Sequence, residues 1–470
     1  MQLIEAFRDK QPTQLAFVGA GGKTSALFRV ARELSTPRKS SQSYKTILLT
    51  TTTHFGAWQA RLADQLVWIK SVAEVDELDQ AMPEGILMLS GGEANDRLSG
   101  LKQEELENVR QVAERLHLPL LIEADGAHTR PLKAPDELEP VIPEFVQHVV
   151  VVAGLTGLGQ PLSEKWVHRP KQFARLSGID VGEMVTEQGL INVLRHEQGG
   201  LKNIPPGSRK SVLLNQADTA ELQAQGQAIA EHLLSDYHSV IIASISDGGK
   251  KEETIKDPGT DNDNGIYAVV ERVAGLVLAA GASTRFGEPK QLLMWKQQPL
   301  IRHVAQAGLA AGLSPMVVVL GASAAEVERA ILDLPVRIVN NGSWMEGLSS
   351  SIKAGINSLP ECMGGAVFFQ ADQPQVSPTL VRKLVEVHQG TLAPIVLPQI
   401  DGQRGNPVLF DRNTFVDLLN LKGEMGGREL FSQYPMQWVT WHDPKQLMDI
   451  DTQEDYQNFL ESYPESEANP

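Results

Sequence analysis

One cysteine, Cys362, stands in a chain of 470 residues. A single thiol excludes an intramolecular disulfide framework and a cysteine-rich zinc site, and it reads as a small filler after Pro360. Cations are in deficit too, with 42 Lys and Arg against 58 Asp and Glu and a formal charge of -16. Sequence-independent binding to nucleic acid needs clustered cations that neutralise phosphates, so it is not expected, and an anionic substrate must meet a local basic pocket. Long apolar runs are also missing. The densest, HVVVVAGL from His148, falls short of the ~20 residues that span a bilayer. The opening MQLIEAFRDK carries charge early and lacks the apolar segment of a signal peptide. The expectation is a soluble, cytoplasmic protein with no membrane or nucleic-acid partner.

What is present is ordinary globular material, 42% apolar and 21% charged. The length exceeds the ~250 to 300 residues at which a single core stops growing, so two domains are expected. The stretch ISDGGKKEETIKDPGTDNDNGI is nearly free of apolar residues and reads as an interdomain linker. The expected limits are 1–246 for the first domain, 247–270 for the linker, 271–462 for the second domain and 463–470 for a frayed tail. In the second half GLVLAA, PMVVVL, GAVFFQA and APIVLP read as buried strands, with Ile301, Val304, Ala305 and Leu309 on one face of an intervening helix. LAFVGA, TILLTT, LPLLIEA and HVVVVAG repeat that alternation in the first half. The fold class is therefore α/β, two domains, each a mostly parallel sheet flanked by helices.

In such sheets ligands bind outside the carboxyl ends of strands. LVLAAGASTRFGEPK, residues 276–290, has the layout of a strand followed by a phosphate-approaching turn. Gly281 and Gly287 free the backbone, Ser283 and Thr284 offer hydroxyls, and Arg285 and Lys290 supply charge for a polyphosphate. The dinucleotide fingerprint GxGxxG is absent. A plain βα turn with two solvated cations is the alternative. Asp372, at the end of GAVFFQA, is the best placed carboxylate for magnesium, or else a turn residue. Arg404 and Asn406 lie in DGQRGNP, a place to hold a second substrate or simply a hairpin turn. Residues 349–351, all Ser, could be an N-cap run. Trp344 packs or stacks.

These pieces resemble the molybdenum cofactor nucleotidyltransferases, within the wider nucleotidyltransferase superfamily, over about 272–461. The opening loop is similar to LxAGxSxRxGxxK. NNGSWMEGLSSSIKAG is similar to NPxWxxGMxSSL, with Gly342 for proline. FFQADQP, DGQRGNPVLF, GEMGGRELF and DIDTQEDY are similar to later motifs, with Glu424, Gly427 and Gln453 as departures. The resemblance implies a Rossmann-like nucleotidyltransferase fold, with Arg285, Lys290 and Asp372 catalytic. It implies that Leu278, Ala279, Ala280, Gly281, Ser283, Arg285 and Lys290 bind nucleotide. Asp451 would join Asp372 on magnesium, and Ser349, Arg404 and Asn406 would hold the second substrate. Ala279 and Ala280, matching LAAG rather than LAGG, imply CTP, with molybdenum-molybdopterin as acceptor. Read as residues alone, Asp451 could instead cap the helix starting near Gln453.

In the first half, Gly19, Gly21, Gly22, Lys23 and Thr24 follow the strand LAFVGA and precede a helix with Ala26, Leu27, Val30, Ala31 and Leu34 on one face. GGKT keeps the mechanics of a phosphate loop, although GxxxxGK[ST] would want glycine at Phe17. Glu123 and Asp125 in LLIEADGAH, where an apolar strand ends, are candidates for a second magnesium site. Thr51, Thr52, Thr53 and His54 end another strand near that edge. His128 and His168 are ligands or bases, or more simply surface hydrogen-bonders. VGAGGKT, TTTTHF, EADGAHTRPLKAP and GLTGLGQPLSEKWVHRP resemble the accessory protein family of selenium-dependent molybdenum hydroxylases. That resemblance implies a P-loop-like fold taking ATP or GTP and a molybdenum hydroxylase apoenzyme as partner. The reaction expected of the whole is cytidylyl transfer to molybdopterin. A cofactor chaperone without turnover, or a sugar- or polyol-phosphate nucleotidyltransferase, is the alternative.

Overall fold

The apolar runs of the first half become strands because each can bury both faces under helices. A computed structural model of the chain describes residues 1–8, 14–36, 43–126, 129–245, 264–284 and 286–464. Within it the chain divides into two units, Met1–Val270 and Glu271–Pro470.

The main sheet of the first unit has nine strands among the described residues: β1 (Gln14–Gly19), β2 (Thr46–Thr51), β3 (Gln65–Trp68), β4 (Gly85–Ser90), β5 (Leu120–Glu123), β6 (His148–Gly154), β7 (Arg209–Asn215), β8 (Ser239–Ala243) and β9 (Ile266–Glu271). Their order is β9-β8-β7-β6-β1-β5-β2-β4-β3, and the pairings from β8 through to β3 are parallel. β1 lies between β6 and β5, so the turn that leaves it opens at the middle of the sheet's carboxyl edge, where such sheets bind ligands. The helix Lys23–Ser35 then packs Ala26, Leu27, Val30, Ala31 and Leu34 inward. The segment 247–270 is not all linker. Its end, from Ile266, forms β9 and pairs beside β8, with Ile266, Val269 and Val270 buried. The Asp, Asn and Lys-rich composition before it hid a short strand. Residues 246–263 lie outside the described residues, as does most of the 463–470 tail.

The second unit has β10 (Val273–Ala279), β11 (Met316–Leu320), β12 (Arg337–Asn340), β13 (Gly365–Gln370), β14 (Ile395–Ile400), β15 (Gln403–Arg404), β16 (Val408–Asp411) and β17 (Met436–Trp441). The order is β12-β11-β10-β13-β16-β14-β15, with β17 beside β14. The side from β12 to β13 is parallel, whereas β16 runs antiparallel to both neighbours. The sheet is parallel-rich and mixed at one side. The run APIVLP, in β14, points the same way as β13 and pairs in parallel with β17; the reversed strand is β16, from the PVLF segment, whose direction an apolar pattern does not reveal. Ile301, Val304 and Ala305 face the core from the helix Leu300–Ala310, with Leu309 at its margin.

Gly19 has φ +93°, and a Cβ there would sit 2.2 Å from the Val152 carbonyl oxygen. Gly126 has nothing within 4 Å of such an atom. Gly19→Ala is expected to lose about 2–5 kcal/mol from the first unit's unfolding transition, combining left-handed strain with overpacking. Gly126→Ala should stay within about 0.5 kcal/mol in the same denaturant titration. Equal midpoints for the two variants would contradict this.

Candidate active site

The loop after β10 is fixed by a few short bonds. The buried Gln291 amide donates to the carbonyls of Ala279, at 3.2 Å, and Gly281, at 3.0 Å. Ser283 takes a left-handed φ of 52°. Its hydroxyl accepts the Lys290 N–H at 3.1 Å, and its carbonyl accepts the N–H groups of Phe286 and Gly287. The turn therefore closes on itself and delivers Lys290 to the strand ends. Arg285 lies outside the described residues.

Lys290 is where distant parts of the unit meet. Its Nζ lies 2.8 Å from Asp372 Oδ2, just past β13, and 2.8 Å from Asp451 Oδ1. Capping of the helix Gln453–Ser462 falls to Thr452, whose hydroxyl accepts the Asp455 N–H at 3.2 Å. That leaves the Asp451 carboxylate to the cation. Burial works against the charge on Lys290, but Asp372 and Asp451 outweigh it and hold the ammonium above its ordinary pKa. Two carboxylate oxygens thus already reach one cation. That donor set suits magnesium, which is commonly held by one or two carboxylates and completed by phosphates and water. Among the described residues no cluster of three or more His, Cys, Asp or Glu forms a metal cage.

Two clefts open beside this point. One, of about 640 Å³, is lined by Gly281, Ser283, Lys290, Trp344, Asp372 and Asp451 among others. The other, of about 340 Å³, is lined by Arg404, Asn406, Arg428 and Asp449. Leu278, Leu348 and Gln370 line both, so the clefts share a wall. Ala280 lines the first, while Ala279 is buried in the strand and lines neither. Ser349 is also buried and lines neither; its N–H donates to the Gly423 carbonyl. The serines do not cap their helix, since Leu348–Asn357 starts from Gly347 without a side-chain cap. Instead Ser350 and Ser351 accept the Asn341 amide at 2.8 and 3.0 Å. The Arg404 guanidinium lies 5.5 Å from the Phe431 ring centre.

Asp449 escaped the sequence reading. It stands two residues before Asp451 and takes the Gln373 amide. Burial raises its pKa, with Asp372 and Asp451 adding to the shift. Its signal was the first aspartate of DID, eclipsed by the second. Arg428 and Glu424, which line the second and first clefts, were likewise read only as parts of GEMGGRELF.

In the first unit the glycine turn precedes the helix Lys23–Ser35. Lys23 Nζ folds back to Gly19 O at 2.7 Å and Asp125 Oδ1 at 3.1 Å. Thr24 Oγ1 donates to Glu123 Oε2 at 2.8 Å and accepts the Gln59 amide at 3.0 Å. Asp125 accepts the Gly19 N–H at 3.0 Å and pairs with Lys133 at 2.7 Å, and Lys133 pairs with Glu139 at 2.6 Å. Arg169 grips Glu139 with two bonds of 2.7 and 3.1 Å. Burial raises the Glu123 pKa; Lys23, despite its burial, is held above its usual value by Asp125 and Glu123. A cleft of about 540 Å³ is lined by Gly21, Gly22, Lys23, Thr24, His54 and Glu123, among others. Asp125 lies behind this cleft, bracing Lys23. Thr53 lines it, whereas the Thr51 and Thr52 hydroxyls donate to the carbonyls of Glu123 and Val141. His168 sits on a short strand against Leu132–Lys133 and does not line the cleft, and His128 lies outside the described residues.

Known families divide the chain along the same line. Residues 15–171 match the family described as YqeC protein, and residues 275–438 match the MobA-like NTP transferase domain. A YqeC protein of unassigned role from Escherichia coli K12 is 33% identical over 47% of this chain and 82% of its own length. The chain is a YqeC-family protein joined to a MobA-like NTP transferase domain. For the transferase unit, a molybdenum cofactor cytidylyltransferase of Escherichia coli K12 is 24% identical over 40% of this chain and 96% of its length. A protein of Paenarthrobacter nicotinovorans named nicotine blue oxidoreductase is 32% identical over 40% of this chain and 96% of its length. The transferase unit is a nucleotidyltransferase of the MobA type. Among the described residues no helix is long and apolar enough to cross a membrane.

Glu139 in the YqeC-like unit provides a pH test. Burial opposes its ionisation, but bonds from Arg169 and Lys133 lower its pKa from 4.5 to about 2. A depressed folded-state pKa contributes stability above the ordinary value and loses it as pH falls from about 4.5 through about 2. The contribution is on the order of 2–3 kcal/mol. Glu139→Gln should flatten the acid limb of the unit's stability profile between those pH values, and an unchanged limb would refute the assignment.

Proposed function

We propose that the transferase unit moves a cytidylyl group from CTP to the terminal phosphate of molybdenum-molybdopterin, releasing pyrophosphate, and so serves maturation of a molybdenum hydroxylase. The observation that carries this reading is the convergence of Lys290, Asp372 and Asp451 at the mouth of the glycine turn, beside a second cleft bearing Arg404, Asn406 and Arg428.

The reaction makes a bond from an acceptor phosphate oxygen to the α-phosphorus and breaks the bridge to the β-phosphate. Little covalent work falls to the protein, so positioning and charge dominate. The turn around Gly281 and Ser283 receives the triphosphate, with Arg285 and Lys290 as the cations that answer its charge. Arg404, Asn406 and Arg428 orient the acceptor across the shared wall. Magnesium, if held by Asp372 and Asp451, would supply further positive charge against the phosphate oxygens. The preference for CTP rests on Ala279 and Ala280, with Ala280 facing the cleft. For the YqeC-like unit, Gly21, Gly22, Lys23 and Thr24 support binding of ATP or GTP phosphates.

Incubation with magnesium, molybdopterin cofactor and each labelled nucleoside triphosphate should give a cytosine dinucleotide product from CTP alone. Tight cofactor binding without any product would replace the transferase reading with that of a chaperone. Turnover on sugar phosphates would move the acceptor. Asp372→Asn should keep the thermal transition of the wild type yet lose at least about a hundredfold in turnover. A wild-type rate in that variant removes Asp372 from the site.

A further inference from the structure

The cleft of the YqeC-like unit runs past its phosphate loop to a second chemistry. Beyond Gly21, Gly22 and Thr24 it is lined by Phe55, Trp58 and Arg97. Phe55 is buried, but Trp58 is 58% exposed, an unusual state for the largest apolar side chain. It sits on the short turn Ala57–Leu62, with its indole Nε1 2.8 Å from where a Cβ on Gly56 would be. Among the described residues no ring or cation packs on the indole.

The turn that carries Trp58 is tied to the phosphate loop. Gln59, the next residue, accepts the Gly56 N–H at 2.7 Å and donates to Thr24 Oγ1 at 3.0 Å. Thr24 in turn bonds Glu123. One side chain thus links the indole's position to the threonine that follows the loop lysine. A water-exposed indole in a cleft that begins at a phosphate loop is a stacking platform, because every heteroaromatic base has a face to offer it.

We propose that the YqeC-like unit binds a phosphorylated planar heterocycle, its phosphates on residues 21–24 and its ring against Trp58. Nucleotides and phosphorylated pterins share that chemistry. The inference rests on the phosphate-loop reading of this unit and is independent of the transferase reading.

Calorimetric titration of the full chain with ATP, GTP, molybdopterin and inorganic tripolyphosphate tests it. Trp58→Ala is expected to weaken the ring-bearing ligand about tenfold, with Trp58→Phe restoring most of the affinity and tripolyphosphate binding unchanged. Lys23→Ala is expected to weaken every probe that the site takes, tripolyphosphate included. The ring-bearing probe with the largest dependence on Trp58 identifies the source. Equal affinity of wild type and Trp58→Ala for all three ring-bearing probes overturns the stacking proposal while the phosphate loop stands. Tripolyphosphate binding that is absent from the wild type, or indifferent to Lys23→Ala, overturns the loop reading and this proposal with it. A transferase unit that yields no product from CTP alters none of these results.

Discussion

A half-buried ammonium between two carboxylates, Lys290 with Asp372 and Asp451, is the interaction on which the second unit's site depends. Charge removed from water must be paired, and removing one partner leaves an uncompensated charge behind. The three residues come from a glycine turn, the end of β13 and the approach to the last helix, so the fold has to bring three strand-edge segments to one point. A triphosphate with its cation is the kind of ligand that can re-pair all three groups at once. On the proposed reading, a metal taking over the two carboxylates would free the Lys290 ammonium for the phosphates.

The YqeC-like unit solves a similar problem differently. Lys23 is turned back onto the Gly19 carbonyl and Asp125; Asp125 is shared with Lys133, Lys133 pairs with Glu139, and Glu139 pairs with Arg169. That chain of alternating charges is buried at its centre and half-exposed at its end. It stiffens the ground beneath the glycine turn, while the Glu123 carboxylate accepts the Thr24 hydroxyl. Of the two carboxylates expected to hold metal there, Glu123 faces the cleft and Asp125 braces the lysine behind it.

Much of this was legible in the residues. Strand ends and glycine turns follow from short apolar runs that stop at Gly19 and Ala279, and the helix after Gly22 follows from its apolar spacing. What escaped has physical causes. β9 was hidden because composition averaged over a polar stretch masks a six-residue strand. The antiparallel β16 was invisible because a strand buried on both faces shows no direction. Ser349 looked available because a run of three serines suggests caps, yet the helix turn buries its side chain and its neighbours satisfy Asn341. Asp449 was passed over since local spacing cannot say which aspartate of DID turns toward which cleft. Trp58 carried no motif at all; only its exposure inside a cleft marks it.

The central claim is that the Lys290 ammonium stands where a divalent cation would be held by Asp372 and Asp451. Manganese binding to the nucleotide-free chain, followed by electron paramagnetic resonance, tests that most directly. Lys290→Met should tighten manganese binding by about tenfold or more, because two carboxylates lose their competing cation, and adding Asp451→Asn to that variant should abolish the gain. Manganese affinity that is the same in wild type and Lys290→Met would contradict the account.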